Sequence, residues 1–176
     1  MLKNKTIFLR AVEKDDATKL MIWENNPEHW KVTGTEIPFS LQTILDFIEQ
    51  AQHFRQHGQA RFMICLNNTK EAVGCIDLYN ADFKHKRAAV GILIGEKEQR
   101  NNGFALEAIE TLIEYSKQVL DLQNLFCSVH ADNDASLRLF EKAGFEQVGR
   151  RKDWFYEQHH WIDEILYQIC LKERKS

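Results

Sequence analysis

The chain has 176 residues, 23 of them Lys or Arg and 26 Asp or Glu, for a formal net charge of -3. This length suits a single domain (1–176) with its own core, and the near-balanced charge argues against nucleic acid as a partner bound through a dense basic surface. No run reaches the roughly 18 apolar residues of a membrane-crossing helix, and MLKNKTIFLR lacks a signal-peptide apolar stretch, so the expectation is a soluble, cytoplasmic protein with no membrane partner.

In chain order, TIFLRA (6–11) reads as a strand. EKDDATKLMIWENN reads as a helix capped by Asp15 or Asp16, with Ala17, Leu20, Met21 and Trp23 or Glu24 at helical spacing. The segment from Pro27 to Pro38 reads as irregular, and Ser40 caps a second helix carrying Leu41, Ile44, Leu45, Ile48 and Ala51. From Ala60 the period changes to that of strands: ARFMICL, AVGCIDLY and RAAVGILIG, the first two joined by the turn-like NNTKE. The third run (87–95) is apolar almost throughout, which predicts a central strand covered on both faces.

A helix follows with Ala105, Ala108, Ile109, Leu112 and Ser116 on one face and Glu107, Glu110, Glu114 and Lys117 on the other. Then come a strand (NLFCSVHA), a capped helix ending at Gly144 (DNDASLRLFEKAG) and a closing pair of strands. The predicted order is β, α, α, β, β, β, α, β, α, β, β. Cys65, Cys75, Cys127 and Cys170 sit apart in apolar runs without metal-ligand spacing, so they read as small buried hydrophobes and no metal is expected.

The junction EQRNNGFALEAI (98–109) carries the first chemical signal. Gly103 allows a positive φ and close ligand approach, the next residues open a helix whose first N–H groups lack partners, and Arg100 adds a cation. Such a junction suits an anion, a pyrophosphate above all. It has neither the Lys-Ser/Thr ending of a P-loop nor the G-x-G-x-x-G of a dinucleotide fold. Downstream, Asn133, Ser136 and Phe140 fall on one helical stripe, where a single ligand could touch all three.

Together, LRAVEKDDA, RAAVGILI, RNNGFALEA, NDASLRLFEKAGFEQVG and WIDEILYQI resemble the GCN5-related N-acetyltransferases, and within them the branch of ribosomal-protein N-terminal and spermidine/diamine acetyltransferases. The resemblance spans residues 9–171. It implies an α+β fold, three-layer α/β/α, with a mixed, mostly antiparallel, splayed sheet. It implies acetyl-CoA as co-substrate, its pyrophosphate on Arg100, Asn101, Asn102, Gly103, Phe104 and Ala105, and its pantetheine arm beside Ile92, Leu93 and Ile94. Asn133 matches the family's coenzyme-contacting asparagine, with Ser136 and Phe140 on the same stripe. An acceptor pocket would form from the first two helices, their loop and the last hairpin, which carry Trp23, Glu24, Glu28, Trp30 and Asp163 as acceptor-binding candidates, with further aromatics at Trp154, Phe155, Tyr156 and Trp161.

Two departures matter. Many relatives carry, where this chain has Phe140, a tyrosine that protonates the departing thiolate, and several carry a glutamate on the central strand. Ser136 is therefore the candidate leaving-group contact, and Asp77 the candidate base. A backbone N–H between Leu93 and Gly95 is the candidate oxyanion donor. Three readings stand open at this point: transfer to a small primary amine such as a polyamine or diamine, transfer to a peptide amino terminus, and a non-catalytic acyl-CoA sensor. A homodimer is possible in each.

Overall fold

The computed structural model describes residues 2–172; Met1 and 173–176, the ends of the expected domain, lie outside the described residues. The elements are β1 (Ile7–Ala11), α1 (Ala17–Glu24), α2 (Pro27–Thr33), α3 (Leu41–Ala51), α4 (Phe54–His57), β2 (Ala60–Leu66), β3 (Ala72–Asp82), β4 (Arg87–Ile94), α5 (Phe104–Gln118), β5 (Asn124–His130), α6 (Asp134–Lys142), β6 (Glu146–Glu157) and β7 (His160–Cys170). The strands form one sheet in the order β1-β2-β3-β4-β5-β7-β6. Every neighbouring pair is antiparallel except β4 with β5, which is parallel and connected through α5.

Strand alternation sorts the side chains into two cores and so makes three layers. On one face Ile64, Ile76, Leu78 and Val90 pack with Ala108, Ile109 and Leu112 of α5 and Phe140 of α6. On the other, Met63, Cys65 and Cys75 pack with Leu20 and Trp23 of α1 and Ile44 and Ile48 of α3. The α+β, three-layer, mostly antiparallel architecture expected from the sequence is the one observed, with β4 central as its apolar run predicts.

The segment from Pro27 is helical rather than irregular. Proline at the first helical position loses no hydrogen bond, the Asn26 side chain accepts from the Glu28 N–H at 3.0 Å, and Gly34 at φ 67° closes the helix in the left-handed region. Helix α4 also adds to the predicted order. Ser40 caps α3 as expected, accepting from the Thr43 N–H at 3.1 Å. Asp16 precedes α1, but its carboxylate grips Arg10 at 2.6 and 2.7 Å and the Glu13 N–H at 2.9 Å instead of capping the helix. Glu107, expected on the solvent face, reaches β1 and accepts from the Thr6 N–H and hydroxyl at 2.9 Å each.

The sheet is splayed at its centre. Strand β4 pairs with β3 from Arg87 to Ile94 but with β5 only at Arg87, Ala88 and Ala89, opposite Asn124, Leu125 and Phe126. Past Ala89 the two strands part. The Gly95 N–H donates to the Val73 carbonyl at 3.0 Å. Alternation therefore turns the backbone groups of Leu93 and Gly91 toward β3, and those of Val90, Ile92 and Ile94 toward the opening. Ile92 and Ile94, not Leu93 or Gly95, turn their N–H groups toward it, and Ile94 falls within the span expected for the oxyanion donor.

Three of the four cysteines are buried as expected, but Cys170 is exposed. Burial pushes the Cys75 and Cys127 thiols up to about 12, so both stay protonated at pH 8. Iodoacetamide on the folded protein should label one thiol, Cys170, by peptide mass spectrometry; rapid labelling of Cys75 or Cys127 would contradict this packing.

Candidate active site

A cavity of about 610 Å³ occupies the opening. It passes through the sheet, with Glu24, Phe47, Asp77 and Tyr79 on the α1/α3 side and Asn133, Ser136 and Phe140 on the α6 side, and Val90 to Leu93 forming one wall. The stripe read from the sequence is thus real: Asn133 caps α6 by accepting from the Ser136 N–H at 3.1 Å, which fixes the helix start and leaves Ser136 and Phe140 facing the same space.

At the C-terminal end of β4 the chain turns into α5. Asn101 (φ 62°) and Gly103 (φ 83°) adopt the left-handed region, and Gly103 stands at the N-cap with open space where a Cβ would project. No side chain caps α5, so its first-turn N–H groups and the positive end of its dipole remain available. The Asn102 side chain bonds back to the Glu98 and Arg100 carbonyls at 3.3 Å, shaping the turn. Arg100 is not a free cation: one guanidinium nitrogen lies 2.7 Å from Nε2 of the buried His29, whose Nδ1 lies 2.8 Å from the Trp23 carbonyl. Donation by Nδ1–H leaves Nε2 to accept from Arg100.

The floor on the α1/α3 side is an ion triad. Arg61 on β2 donates to both Asp77 oxygens at 2.8 and 2.7 Å, donates to Glu24 at 2.6 Å, and lies 4.4 Å from the Phe47 ring centroid. Burial opposes its charge, but Asp77 above all and then Glu24 outweigh this and hold its pKa well above the ordinary guanidinium value. Asp77, the candidate base, lines the cavity tied to Arg61, and the triad carries one negative charge in excess. Glu28 also lines the cavity, as does Lys31, which pairs with Asp132 at 2.5 Å and Glu157 at 3.6 Å.

The remaining acceptor candidates lie elsewhere. Trp23 is a core residue: its ring fills the space a Cβ on Gly95 would enter, 2.1 Å from its nearest atom, and its Nε1–H donates to Glu96 at 2.9 Å. Trp30 donates to the Glu24 carbonyl at 3.0 Å and is a prop for α1. Asp163 pairs with Arg150 and accepts from the Asp153 N–H at 2.8 Å, which with Arg150 keeps its carboxyl below the usual range, away from the cavity. Trp154, Tyr156 and Trp161 are exposed on the β6–β7 hairpin, and Phe155 stacks on His130 at 3.7 Å. The aromatic lining comes instead from Phe39, Phe47, Tyr79 and Phe140.

Sequence reasoning missed Arg61, Tyr79, His130 and Phe47. A signal existed for the first: in ARFMICL a lone arginine shares its face with Met63 and sits opposite Asp77 in register, so an inward cation needed a carboxylate partner. Among the described residues, no cluster of three or more His, Cys, Asp or Glu side chains could hold a metal ion.

Residues 6–146 match the family model described as Acetyltransferase (GNAT) domain. The uncharacterized N-acetyltransferase YoaA of Bacillus subtilis is 29% identical over 170 residues, 96% of each chain, and a spermidine N(1)-acetyltransferase of Vibrio cholerae is 25% identical over 163 residues, 91% of this chain and 90% of that one. The crystal structure of spermidine N-acetyltransferase from Vibrio cholerae in complex with CoA and spermine superposes with a TM-score of 0.85 at 23% identity, covering 96% of this chain and 97% of that one. The chain belongs to the GNAT acetyltransferase family. It is an N-acetyltransferase, and the non-catalytic sensor reading falls away.

Replacing Arg61 by methionine leaves two carboxylates facing each other with no cation between them. Such losses cost about 3–5 kcal/mol. Urea unfolding of Arg61→Met should show a destabilisation of that order; a variant as stable as the parent would mean the triad is solvated and not a buried unit.

Proposed function

We propose that the chain transfers the acetyl group of acetyl-CoA to a primary amine carrying one or two positive charges. The observation that carries this reading is the succession of three features along one path: the acidic cavity in the opening between β4 and β5, the free edge of β4, and the uncapped start of α5 that follows the end of β4.

The residues present fit the coenzyme. Backbone N–H groups from Gly103 to Ala105 would hold the pyrophosphate, with the turn at Arg100, Asn101 and Asn102 shaping the cradle and Phe104 opening the helix. Ile92 and Ile94 turn their backbone groups toward the opening past the last β4–β5 pair, so an amide-bearing arm beside Ile92, Leu93 and Ile94 would pair with them as a short extra strand. Asn133, Ser136 and Phe140 flank that arm from α6. Acetyl-CoA supplies the activated acetyl group when bound.

Four carboxylates (Glu24, Glu28, Asp77 and Asp132) and two cations (Lys31 and Arg61) line the cavity, an excess of two negative charges that favours a cationic amine. An alkyl amine has a pKa near ~10 and must lose a proton before attack. Asp77 would hold the ammonium and pass its proton to solvent, because its two bonds from Arg61 leave a lone pair on each oxygen. The Ile92 N–H would support the carbonyl oxygen as negative charge develops. Ser136 would donate a hydrogen bond to the coenzyme arm near its sulfur. Naming of two relatives as spermidine acetyltransferases supports an amine acceptor, and Phe39 and Phe47 suit the methylene chain of an alkyl mono- or diamine.

Calorimetry should detect coenzyme A binding, and release of free thiol should be measured across alkyl monoamines, diamines, spermidine, spermine and short peptides. Turnover is expected with mono- and diamines, with Asp77→Asn lowering kcat/KM by about 10²-fold. Turnover with peptides alone would overturn the acceptor class, and no binding of coenzyme A would overturn the reading as a whole.

A further inference from the structure

We propose that Tyr79 is the acid that protonates the departing sulfur, a role that rests on the reading above and that neither the sequence resemblance nor the comparisons assign. Breaking the thioester leaves an electron pair on sulfur, and Phe140 has no proton to give it. Tyr79 is the phenol that lines the cavity.

Its position follows from register. Tyr79 pairs with Ala89, and Ala89 pairs with Phe126 at the last contact before β4 and β5 part. Tyr79 thus stands at the closed end of the opening, while the start of α5 stands at the mouth. Six residue-to-residue steps lead from Ala89 to Gly95, about 20 Å at ~3.3 Å per step. A coenzyme anchored by its pyrophosphate at the mouth points its other end, the sulfur, inward along this path toward Tyr79.

The ring is held there by what is missing from β4. Gly91 has no side chain, and a Cβ at that position would meet Tyr79 Cε1 at 3.4 Å and Asp77 Cβ at 4.0 Å. Asp77 and Tyr79, two residues apart on one strand, therefore stand side by side over Gly91 on the same face. The Tyr79 hydroxyl has no hydrogen-bond partner among the described residues, although the ring is half-buried. A phenol that reaches a cavity with its hydroxyl unspent is placed to bond a ligand.

Other donors in the cavity fit less well. The hydroxyls of Ser128 and Ser136 are far weaker acids than a phenol. Lys31 is engaged by Asp132 and Glu157, and the Cys75 thiol is buried in the α1/α3 core. His130 lies four residues beyond Phe126, at the wide end. Around Tyr79 stand Asp77 on its own strand, with Arg61 and Glu24 behind it, and Glu164 on β7. Burial, reinforced by Cys127, Asp77 and Glu164, pushes its pKa above the ordinary phenol value, so it stays protonated through the neutral range.

The step balances. The amine nitrogen forms its bond to the carbonyl carbon and loses a proton toward Asp77; the carbon–sulfur bond breaks with its pair going to sulfur; the Tyr79 proton moves to that sulfur, giving the free thiol. The phenolate then recovers the proton that the amine released beside it. Neither residue is changed at the end of the cycle.

The test compares binding of coenzyme A and of desulfo-coenzyme A, which lacks the sulfur, to the full chain and to Tyr79→Phe by calorimetry. Phenylalanine keeps the ring on Gly91, and an unchanged unfolding temperature confirms that. The preference for coenzyme A over the desulfo form should shrink about five-fold in the variant, and kcat for thiol release should fall about 10²-fold with the amine KM unchanged. An unaltered preference, a kcat within three-fold of the parent, or an equal loss of affinity for both ligands would overturn the role. If the parent chain binds neither ligand, the transferase reading has failed and Tyr79 loses its role with it.

Discussion

Everything chemical in this molecule depends on β4 and β5 sharing only three residue pairs. A parallel pair deep in a sheet would ordinarily continue its ladder, because an unpaired peptide group away from water costs more than most single contacts recover. Here the ladder stops at Ala89 and Phe126, while β4 keeps its other edge paired to β3 without interruption from Ala89 to Ile94. The two halves are joined elsewhere: α5 connects β4 to β5, and its Ala108, Ile109 and Leu112 share one buried cluster with Val90 of β4 and Leu125 and Cys127 of β5. What the gap leaves is a run of peptide groups shaped to receive another extended chain, and an extended amide-bearing coenzyme arm is chemically such a chain.

The second constraint is electrostatic. Two acidic side chains on the α1/α3 side would repel each other across a half-buried space, and Arg61 removes that repulsion by bonding both. It also limits what the carboxylates can do. Asp77, bonded by two guanidinium nitrogens, is fixed in orientation as a hydrogen-bond acceptor lining the cavity.

Much of this was legible before any coordinates. The order of strands and the α5 junction follow from apolar period and from Gly103, and the Asn133–Ser136–Phe140 stripe from helical spacing. Helix α2 was hidden because proline at its first turn looks like a breaker when only its ring is considered. Trp23 and Trp30 read as pocket aromatics because tryptophan suits both cores and ligand sites, and the deciding fact, that Gly95 makes room for the Trp23 ring, is a contact between residues 72 positions apart. Asp163 failed for a related reason: its partner Arg150 lies across a hairpin whose register shifts along its length. Tyr79 was unreadable because its meaning comes from Ala89, where the neighbouring strands separate.

The central claim is that the free backbone edge of β4 and the start of α5 receive the coenzyme. Residue-resolved amide hydrogen exchange on the full chain, with and without saturating coenzyme A, tests it most directly. The account predicts new protection at Ile92, Ile94 and Phe104 to Leu106, with Leu93 and Gly95, already bonded to β3, unchanged. Saturating coenzyme A that protects the β6–β7 hairpin or the α1/α2 segment while leaving those amides as fast as before would contradict it.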